Sequence, residues 1–234
     1  MSTKNIIQLS NLTKTYKKGS AKEINAVDNV SLQVKQGEFL TILGPSGSGK
    51  TTLLNLIGGL DKPTSGKITV DDLEISKLKE NQLVKVRREK IGFVFQAFNL
   101  IPTFSALENI QATLAPTNMQ KNKQLERSNE LLAMVNLEQR GNHLPSELSA
   151  GEQQRIAIAR AFANGPKIVL LDEPTGNLDT TTGKEILALC HKASKEHGQT
   201  VVAVTHADYV KNYTNRLLFM RDGKLFTELP EEKP

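Results

Sequence analysis

A glycine-rich segment with a lysine and two threonines at its end is the clearest chemical feature of the chain. Residues 44–51 read GPSGSGKT and match the pattern G-x-x-x-x-G-K-[ST]. Glycine lets the backbone come close to phosphate oxygens, because it adopts conformations that other residues avoid. Lys50 would neutralise the β- and γ-phosphates, and the Thr51 hydroxyl would bind Mg²⁺. The pattern therefore predicts a site for ATP.

This pattern indicates a phosphate site only when a strand precedes it and a helix follows it. The apolar run Phe39–Leu43 predicts a buried strand, and Lys50–Ile57 predicts a helix that ends at two glycines. A helix N-terminus offers free N–H groups and a partial positive charge to an anion. The alternative is an ordinary glycine-rich turn, and the full pattern in this context favours ATP binding.

Two further apolar runs end in residues suited to hydrolysis, which needs a metal ligand and a group that orients water. Residues 168–171 are followed by Asp172, a candidate ligand of Mg²⁺, and by Glu173, a candidate to polarise the attacking water. Residues 201–205 are followed by His206, which would bond the γ-phosphate and orient the water. A single histidine is more often structural, but its place beside the two acids favours catalysis.

A second anion-binding helix terminus is predicted at residues 148–152, which read LSAGE. Ser149 and Glu152 have the spacing of a capping box, so a purely structural cap is the simpler interpretation. A capped N-terminus also attracts anions, and Gly151 would let a phosphate approach the backbone. Because Lys50 already serves one phosphate site, this helix suggests a site shared between two chains.

The elements that would carry these groups alternate between strands and helices in the last third of the chain, which predicts a mostly parallel sheet covered by helices. The predicted strands are 6–9, 31–34, 39–43, 67–70, 92–95, 168–171, 201–205, 216–220 and 224–227, and Asp222-Gly223 between the last two predicts a tight hairpin turn. The predicted helices are 50–57, 107–114, 124–135, 150–163 and 183–196, and helical sequence is sparse elsewhere before residue 97. We interpret 1–234 as one nucleotide-binding unit, with an α/β core at 1–96 and 149–234 and a helical insert at 97–148.

Composition narrows the class of protein. The net charge of +5 and a basic cluster on either side of Glu89 would suit nucleic acid, but aromatic residues make up only 5% of the chain. We therefore expect a solvated helix face at Lys85, Arg87, Arg88 and Lys90, and no nucleic-acid partner. Cys190 cannot form an internal disulfide and is expected to be buried and inert. Without a long apolar segment, the chain is expected to be cytoplasmic.

Taken in order, the motifs resemble those of the ATP-binding-cassette family. They are Tyr16, the segment 44–51, Gln96, the signature segment 148–152, Asp172 with Glu173, the segment 177–179 and His206. The resemblance implies a P-loop NTPase core of the RecA-like type, with an N-terminal antiparallel β-subdomain and an inserted α-helical subdomain. It also implies that two copies pair head to tail and enclose ATP between the phosphate loop of one and the signature helix of the other.

The resemblance assigns a role to each site residue. It implies that the side chain of Tyr16 stacks on adenine, that Gln96 contacts the metal, and that Lys50, Glu173 and His206 act in catalysis. The predicted ATP-binding residues are Tyr16, Gly44, Pro45, Ser46, Gly47, Ser48, Gly49, Lys50, Thr51, Thr52, Gln96, Ser149, Gly151 and Glu152. The predicted ligands of Mg²⁺ are Thr51, Gln96 and Asp172. The signature departs from the common LSGGQ at Ala150 and Glu152, which would weaken the shared site without abolishing it.

The family also implies a membrane partner, an integral permease that docks on the helical insert and holds the chain at the inner face of the membrane. The apolar stretch at Phe98, Leu100, Ile101, Pro102 and Phe104 suits such docking. The closest resemblance is to the lipoprotein-releasing, macrolide-exporter and peptide-resistance branch, which favours export or extraction of a peptide, lipid, lipoprotein or drug. A cell-division type ATPase that transmits force without transport is the main alternative, and a soluble cassette acting on DNA or ribosomes is the weakest.

Overall fold

A computed structural model describes residues 4–18 and 22–229 of the 234-residue chain. The strands are β1 (Asn5–Lys18), β2 (Lys22–Lys35), β3 (Phe39–Leu43), β4 (Ser65–Val70), β5 (Leu73–Glu74), β6 (Ile91–Val94), β7 (Ile168–Asp172), β8 (Thr200–Thr205), β9 (Arg216–Arg221) and β10 (Lys224–Phe226). The α-helices are α1 (Lys50–Ile57), α2 (Glu80–Lys90), α3 (Ala106–Leu114), α4 (Lys121–Met134), α5 (Ala150–Phe162) and α6 (Thr180–His197). Short 3-10 helices span Ile75–Lys77, Glu138–Arg140, Pro145–Glu147 and Asp208–Tyr213.

A six-stranded sheet in the order β10-β9-β3-β8-β7-β6 forms the centre of the fold. All neighbouring strands are parallel except the β9–β10 hairpin. Leu43 at the end of β3 pairs with Thr205 at the end of β8, and Asp172 at the end of β7 pairs with Val204. The carboxyl ends of these three strands therefore meet at one edge, where the sequence predicted the phosphate loop, the acidic pair and the histidine.

Both faces of this sheet are buried, which explains the continuous apolar runs of its strands. On β3, Leu40 and Ile42 point into a core shared with α1 and the N-terminal strands, whereas Phe39 points into a second core shared with α3 to α6. Successive side chains of a strand point to opposite faces, so every position of β3 is buried. The sheet is thus enclosed between two layers.

An antiparallel sheet in the order β2-β1-β4-β5 forms the layer on the α1 side. Its two long strands exceed the short predicted runs because the ladder continues through irregular positions. Asn11 and Asn29 have positive φ angles of 47° and 52°, and the β1–β2 register shifts between Leu9 and Leu12. Such bulges break the alternation of polar and apolar residues that marks a strand in the sequence. The predicted combination of antiparallel and mainly parallel sheets with covering helices is confirmed.

The helices α3 and α4 lie in the chain between β6 and α5, within the segment predicted as a helical insert, and pack into the second core. Ser105 and Glu108 form a capping box at the start of α3. The division into 1–96, 97–148 and 149–234 stays a prediction.

One helix contradicts the expectation that the segment before residue 97 is poor in helices. Only Leu83 and Val86 of α2 are buried, so its apolar periodicity is weak in the sequence. Most of the basic side chains on the predicted solvated face of this helix also bond to neighbouring segments. Arg87 donates to the Gly59 carbonyl oxygen, Arg88 donates to the Pro116 carbonyl oxygen, and Lys90 pairs with Asp71. These basic residues attach α2 to its neighbours, and they do not form a free basic surface.

The remaining structural expectations concern a turn, a thiol and the membrane. Asp222 and Gly223 both have positive φ, 49° and 77°, and form the two-residue turn of the β9–β10 hairpin. Cys190 is buried, and burial raises the pKa of its thiol to about 12, so it is inert at neutral pH. Within residues 4–18 and 22–229, no helix has the length and apolar character needed to cross a membrane.

Candidate active site

The phosphate loop connects β3 to α1 and fits tightly against neighbouring backbone. Gly49 has a φ of 103°, and a Cβ at this position would overlap the Ala26 carbonyl oxygen. A Cβ on Gly44 would overlap the Met220 carbonyl oxygen in the same way. The Gly223 N–H donates to the Ser48 carbonyl oxygen at 3.0 Å, so the β9–β10 turn supports the loop from below. Two of the predicted glycines are therefore required by close backbone approach.

A cleft of about 340 Å³ opens above this loop. It is lined by Ala26, Ser46, Gly47, Gly49, Lys50, Thr51, Thr52, Gln96, Glu173 and His206. The Lys50 side chain is buried, and its ammonium donates to the carbonyl oxygens of Gly44 and Pro45 at 2.8 and 3.0 Å. A buried cation beside the N-terminus of α1 makes the cleft suitable for a phosphate chain.

Thr51 lines the cleft, and Asp172 lies directly behind it, so that the two together fit a divalent cation. Thr51 Oγ1 donates to Asp172 Oδ1 at 2.9 Å. Burial raises the pKa of the Asp172 carboxyl above its ordinary value, although the Thr51 hydrogen bond opposes this shift. In the described part of the chain, no three His, Cys, Asp or Glu side chains gather as a metal cluster. One carboxylate and one hydroxyl suit Mg²⁺, which is commonly bound by few protein groups together with phosphates and water.

Glu173 lies between the two other groups predicted for catalysis. Its Oε1 is 3.6 Å from the Lys50 ammonium, and its Oε2 is 3.1 Å from His206 Nδ1. Glu173 itself has a φ of 45°, a conformation that costs a non-glycine residue about 1–3 kcal/mol. Its N–H donates to the Val204 carbonyl oxygen at 2.9 Å, which holds this backbone turn against β8. The turn directs the carboxylate into the cleft.

Gln96 reaches the same cleft from the neighbouring strand. Val94 at the end of β6 pairs with Leu171, so the chain beyond β6 continues alongside Asp172 and Glu173. The Asn177 amide donates to the Gln96 carbonyl oxygen at 2.9 Å. The position of Gln96 is therefore linked to the loop that follows Glu173.

The predicted signature residues lie outside this cleft. Ser149 caps α5, its Oγ accepts from the Glu152 N–H at 3.3 Å, and Glu152 Oε2 accepts from the Ser149 N–H at 2.9 Å. The capping box is therefore present as predicted. A Cβ on Gly151 would lie 2.8 Å from Thr182 Cγ2, and Thr182 in turn bonds Asp179 at the start of α6. Ser149, Gly151 and Glu152 do not line the cleft of their own chain.

Tyr16 also lies outside the residues that line the cleft. Its hydroxyl donates to Asp61 Oδ2 at 2.6 Å, and the Lys14 ammonium sits 4.9 Å from the centre of its ring. The ring is 42% exposed. Burial and the Asp61 carboxylate raise the pKa of Tyr16, and a hydrogen bond with Thr52 opposes this rise. Tyr16 is thus adjacent to the loop through Thr52, and its stacking on adenine stays a prediction.

The structure thus gathers Lys50, Thr51, Asp172, Glu173 and His206 at one sheet edge, with Gln96 beside them. The sequence did not indicate Ala26 or Arg140, which support the loop and Glu152, and it gave no role to Asn177, which supports Gln96. Only Asn177 had a signal, since it lies in the segment 177–179 that was noted for its resemblance. A larger cleft of about 810 Å³ between α4, α5 and α6 contains none of the predicted site residues.

Comparison with known proteins agrees with this geometry. Residues 27–176 match the family described as ABC transporter. The chain is 49% identical to the ABC transporter ATP-binding protein MJ0796 of Methanocaldococcus jannaschii over 227 residues, which cover 95% of this chain and 96% of that protein. It is 44% identical to the macrolide export ATP-binding/permease protein MacB of Rhodopirellula baltica, covering 93% of this chain and 32% of that longer protein.

A solved structure of MJ0796, a dimer in a post-hydrolysis state bound to ADP and Pi, has a TM-score of 0.87 to this chain. The two are 48% identical, and the match covers 94% of this chain and 96% of the other. The matched family segment includes the phosphate loop, the acidic pair and the capped helix α5. The chain therefore belongs to the ABC transporter family, as an ATP-binding and ATP-hydrolysing subunit.

Proposed function

We propose that two copies of this chain pair head to tail, with ATP between the cleft of one copy and α5 of the other, to drive a membrane permease. One observation carries the proposal: each chain has a phosphate cleft and, outside that cleft, a second helix N-terminus suited to an anion. Because the N-terminus of α5 lies outside the cleft, one chain cannot apply both to the same ATP molecule. The dimeric structure of MJ0796 supports the pairing of two copies.

Within each site, different residues of the chain bind the phosphates, hold the metal and orient the attacking water. The Lys50 ammonium and the loop N–H groups bind the phosphates. Thr51, Asp172 and Gln96 would hold Mg²⁺, which would supply charge neutralisation for the phosphates. Ser149 and the N–H of Gly151 from the partner copy bind the γ-phosphate from its other side. Water is excluded as the two copies close.

Glu173 accepts the proton of the attacking water, and His206 orients the water and the γ-phosphate. The 3.1 Å contact between Glu173 Oε2 and His206 Nδ1 fixes these two groups relative to each other. The 3.6 Å separation between Glu173 Oε1 and the Lys50 ammonium keeps the carboxylate beside the phosphates. Tyr16 stacks on the adenine at the outer end of the cleft.

The permease docks on the segment after Gln96. Ile101 and Phe104 are 37% and 38% exposed there, which is unusual for large apolar side chains on a solvated loop. Because this segment follows Gln96 directly, only a few residues of backbone separate the proposed docking segment from the proposed metal site. The chain then lies at the cytoplasmic face of the membrane. The name of MacB, a macrolide export ATP-binding/permease protein, supports a permease partner and export. Export or extraction of a peptide, lipid, lipoprotein or drug is the output that we propose.

The experiment that tests the active site is E173Q, with E185Q as its control, because Glu185 is an exposed carboxylate on α6 that pairs with Arg155. E173Q should bind ATP normally and hydrolyse it at least about a hundredfold more slowly, roughly 3 kcal/mol in barrier. It should also accumulate as a dimer with ATP and Mg²⁺ in analytical ultracentrifugation, and remain monomeric with ADP. Near-normal turnover would remove Glu173 as the base, and a monomer with ATP would contradict the shared site.

The output is tested separately, in membranes that contain the permease encoded beside this chain. ATP-dependent movement of a substrate across or out of the bilayer would support transport. Hydrolysis that changes the permease conformation and moves no substrate would support the force-transmitting alternative.

A further inference from the structure

Glu152 places a negative charge at the helix terminus that the proposed function directs towards ATP. Its Oε2 lies 2.9 Å from Ser149 Oγ and accepts from the Ser149 N–H. These hydrogen bonds, together with Arg140, hold the pKa of the Glu152 carboxyl below its ordinary value, so it is ionised at neutral pH. A carboxylate in contact with a hydroxyl that binds phosphate repels that phosphate, most strongly in a closed and dry interface.

Arg140 lies beside this carboxylate and has the opposite charge. Its Nε is 3.2 Å from Glu152 Oε1, the oxygen that Ser149 does not use. Arg140 closes the 3-10 helix Glu138–Arg140, which lies between α4 and α5. Its Nη1 lies 3.2 Å from His143 Nε2, which gives the guanidinium a second partner. The side chain is 48% exposed, so it can face a second chain.

We infer that Arg140 is a positioning residue for the signature helix, since it neutralises Glu152 and so allows the Ser149 hydroxyl to donate to a phosphate of the ATP held by the partner copy. The inference rests on the shared site of the proposed function. It explains how a chain with Glu at this position, in place of the common Gln, keeps an anion-accepting helix terminus. Loss of Arg140 would leave an unpaired carboxylate at the interface, which is costly once water is excluded.

The test uses the E173Q chain as its background, so that ATP is bound and not consumed. Four variants are added to it: R140Q, E152Q, the double variant R140Q/E152Q, and K123Q. Gln at position 152 still permits a capping box, because an amide oxygen accepts the same N–H bond. Lys123 lies at an exposed position of α4, so K123Q controls for the loss of one positive charge.

The measured quantity is the dimer dissociation constant with ATP and Mg²⁺ by analytical ultracentrifugation. R140Q should weaken the dimer about tenfold, and E152Q should strengthen it about threefold. The double variant should return to within about threefold of the E173Q parent, and K123Q should match the parent. The loss caused by R140Q should also shrink as salt rises from about 50 mM to about 500 mM, because ions screen the repulsion.

Each outcome decides one part of the inference. An R140Q dimer as tight as the parent, or a double variant as weak as R140Q alone, would overturn the role of Arg140. The second result would mean that Arg140 acts on structure or directly on ATP, and circular dichroism of R140Q separates these two. An E173Q parent that stays monomeric with ATP would overturn the shared site and this inference together, which distinguishes that failure from the other two.

Discussion

Thr51 Oγ1 donates a hydrogen bond to Asp172 Oδ1 at 2.9 Å, and this bond joins the first turn of α1 to the end of β7. Both groups come from segments that are distant in the chain and adjacent at the sheet edge. In the proposed site, both oxygens also turn towards Mg²⁺. The bond therefore arranges the metal ligands before the metal arrives, which lowers the cost of ordering them.

The first prediction concerns this hydroxyl. T51V removes the hydroxyl and keeps the shape of the side chain, so the Mg²⁺ concentration for half-maximal ATP hydrolysis should rise at least about tenfold. T51S keeps the hydroxyl and is the matched control, with an expected change below about threefold. The measurement is a Mg²⁺ titration of ATPase activity at saturating ATP. Equal Mg²⁺ requirements in T51V and T51S would remove Thr51 from the metal site.

The second prediction concerns the buried acid. Because burial raises the pKa of Asp172, the folded chain holds this proton at pH values where the unfolded chain has lost it. Asp172 therefore contributes stability at low pH that is lost as pH rises from the unfolded value of about 3.8 through the folded pKa. Without metal and nucleotide at pH 7, D172N should be more stable than the natural chain.

The measurement for D172N is urea unfolding between pH 4 and pH 7 in the presence of a chelator. The advantage of D172N should shrink as the pH falls towards 4, because a growing fraction of Asp172 is protonated in both states. D208N, at an exposed aspartate, is the control and should show no such trend. With ATP and Mg²⁺, the order should reverse, because only the natural carboxylate binds the metal. A D172N chain that is less stable at pH 7 without metal would contradict the argument.

The third prediction separates two glycines of the phosphate loop. Gly47 and Gly49 both have positive φ, 79° and 103°, but only a Cβ on Gly49 would meet other atoms. G47A should cost about 1–2 kcal/mol of unfolding free energy from backbone strain alone. G49A should cost more than about 3 kcal/mol and lose ATP binding, because the Ala26 carbonyl must move. Thermal unfolding and nucleotide titration measure both, and equal effects would argue against the close approach.

The fourth prediction concerns the loop that carries Ile101 and Phe104. Asn109 is fully buried, accepts from the Ile101 N–H at 2.8 Å, and donates to the carbonyl oxygens of Ile101, Phe104 and Ser105. N109A removes these bonds, leaves the Ile101 N–H and the Phe104 carbonyl oxygen without the Asn109 side chain as their partner, and should cost about 3 kcal/mol.

Amide exchange in residues 101–105 should accelerate in N109A more than in the rest of the chain, since opening of this loop no longer breaks the Asn109 bonds. N122A at an exposed asparagine of α4 is the control and should leave the rate unchanged. Unchanged exchange at 101–105 in N109A would show that this loop is held by other contacts. Binding of the permease should then be insensitive to Asn109 as well.

Much of the architecture around the cleft follows from local sequence. The bounds of β3 and α1 agree with the prediction, because apolar residues bounded by glycines give a strong signal. The capping box at Ser149 and the turn at Asp222 were likewise visible in short patterns. Parallel pairing then follows from the alternation of strands and helices, and it brings the predicted groups to one edge.

What the sequence could not provide depends on contacts between distant segments. Nothing local requires Glu173 to take a φ of 45°, since this turn is held by the Val204 carbonyl oxygen on another strand. The pairing of Arg140 with Glu152 joins the 3-10 helix Glu138–Arg140 to α5, and no periodic pattern in the sequence indicates it. The helix α2 was missed for a different reason, because its stability comes from polar attachments to its neighbours more than from an apolar face.

A buried hydrogen bond connects the signature helix α5 to the loop that follows Glu173 in the same chain. The Gln154 amide on α5 donates to the Pro174 carbonyl oxygen at 2.7 Å, directly after Glu173. This bond links the cap at Ser149 to the proposed base Glu173, and in the proposed head-to-tail pair these two groups of one copy would serve different ATP molecules. Separation of one half-site after its ATP is cleaved would therefore disturb the other half-site as well. The pair should therefore hydrolyse ATP cooperatively, with a Hill coefficient above one for ATP.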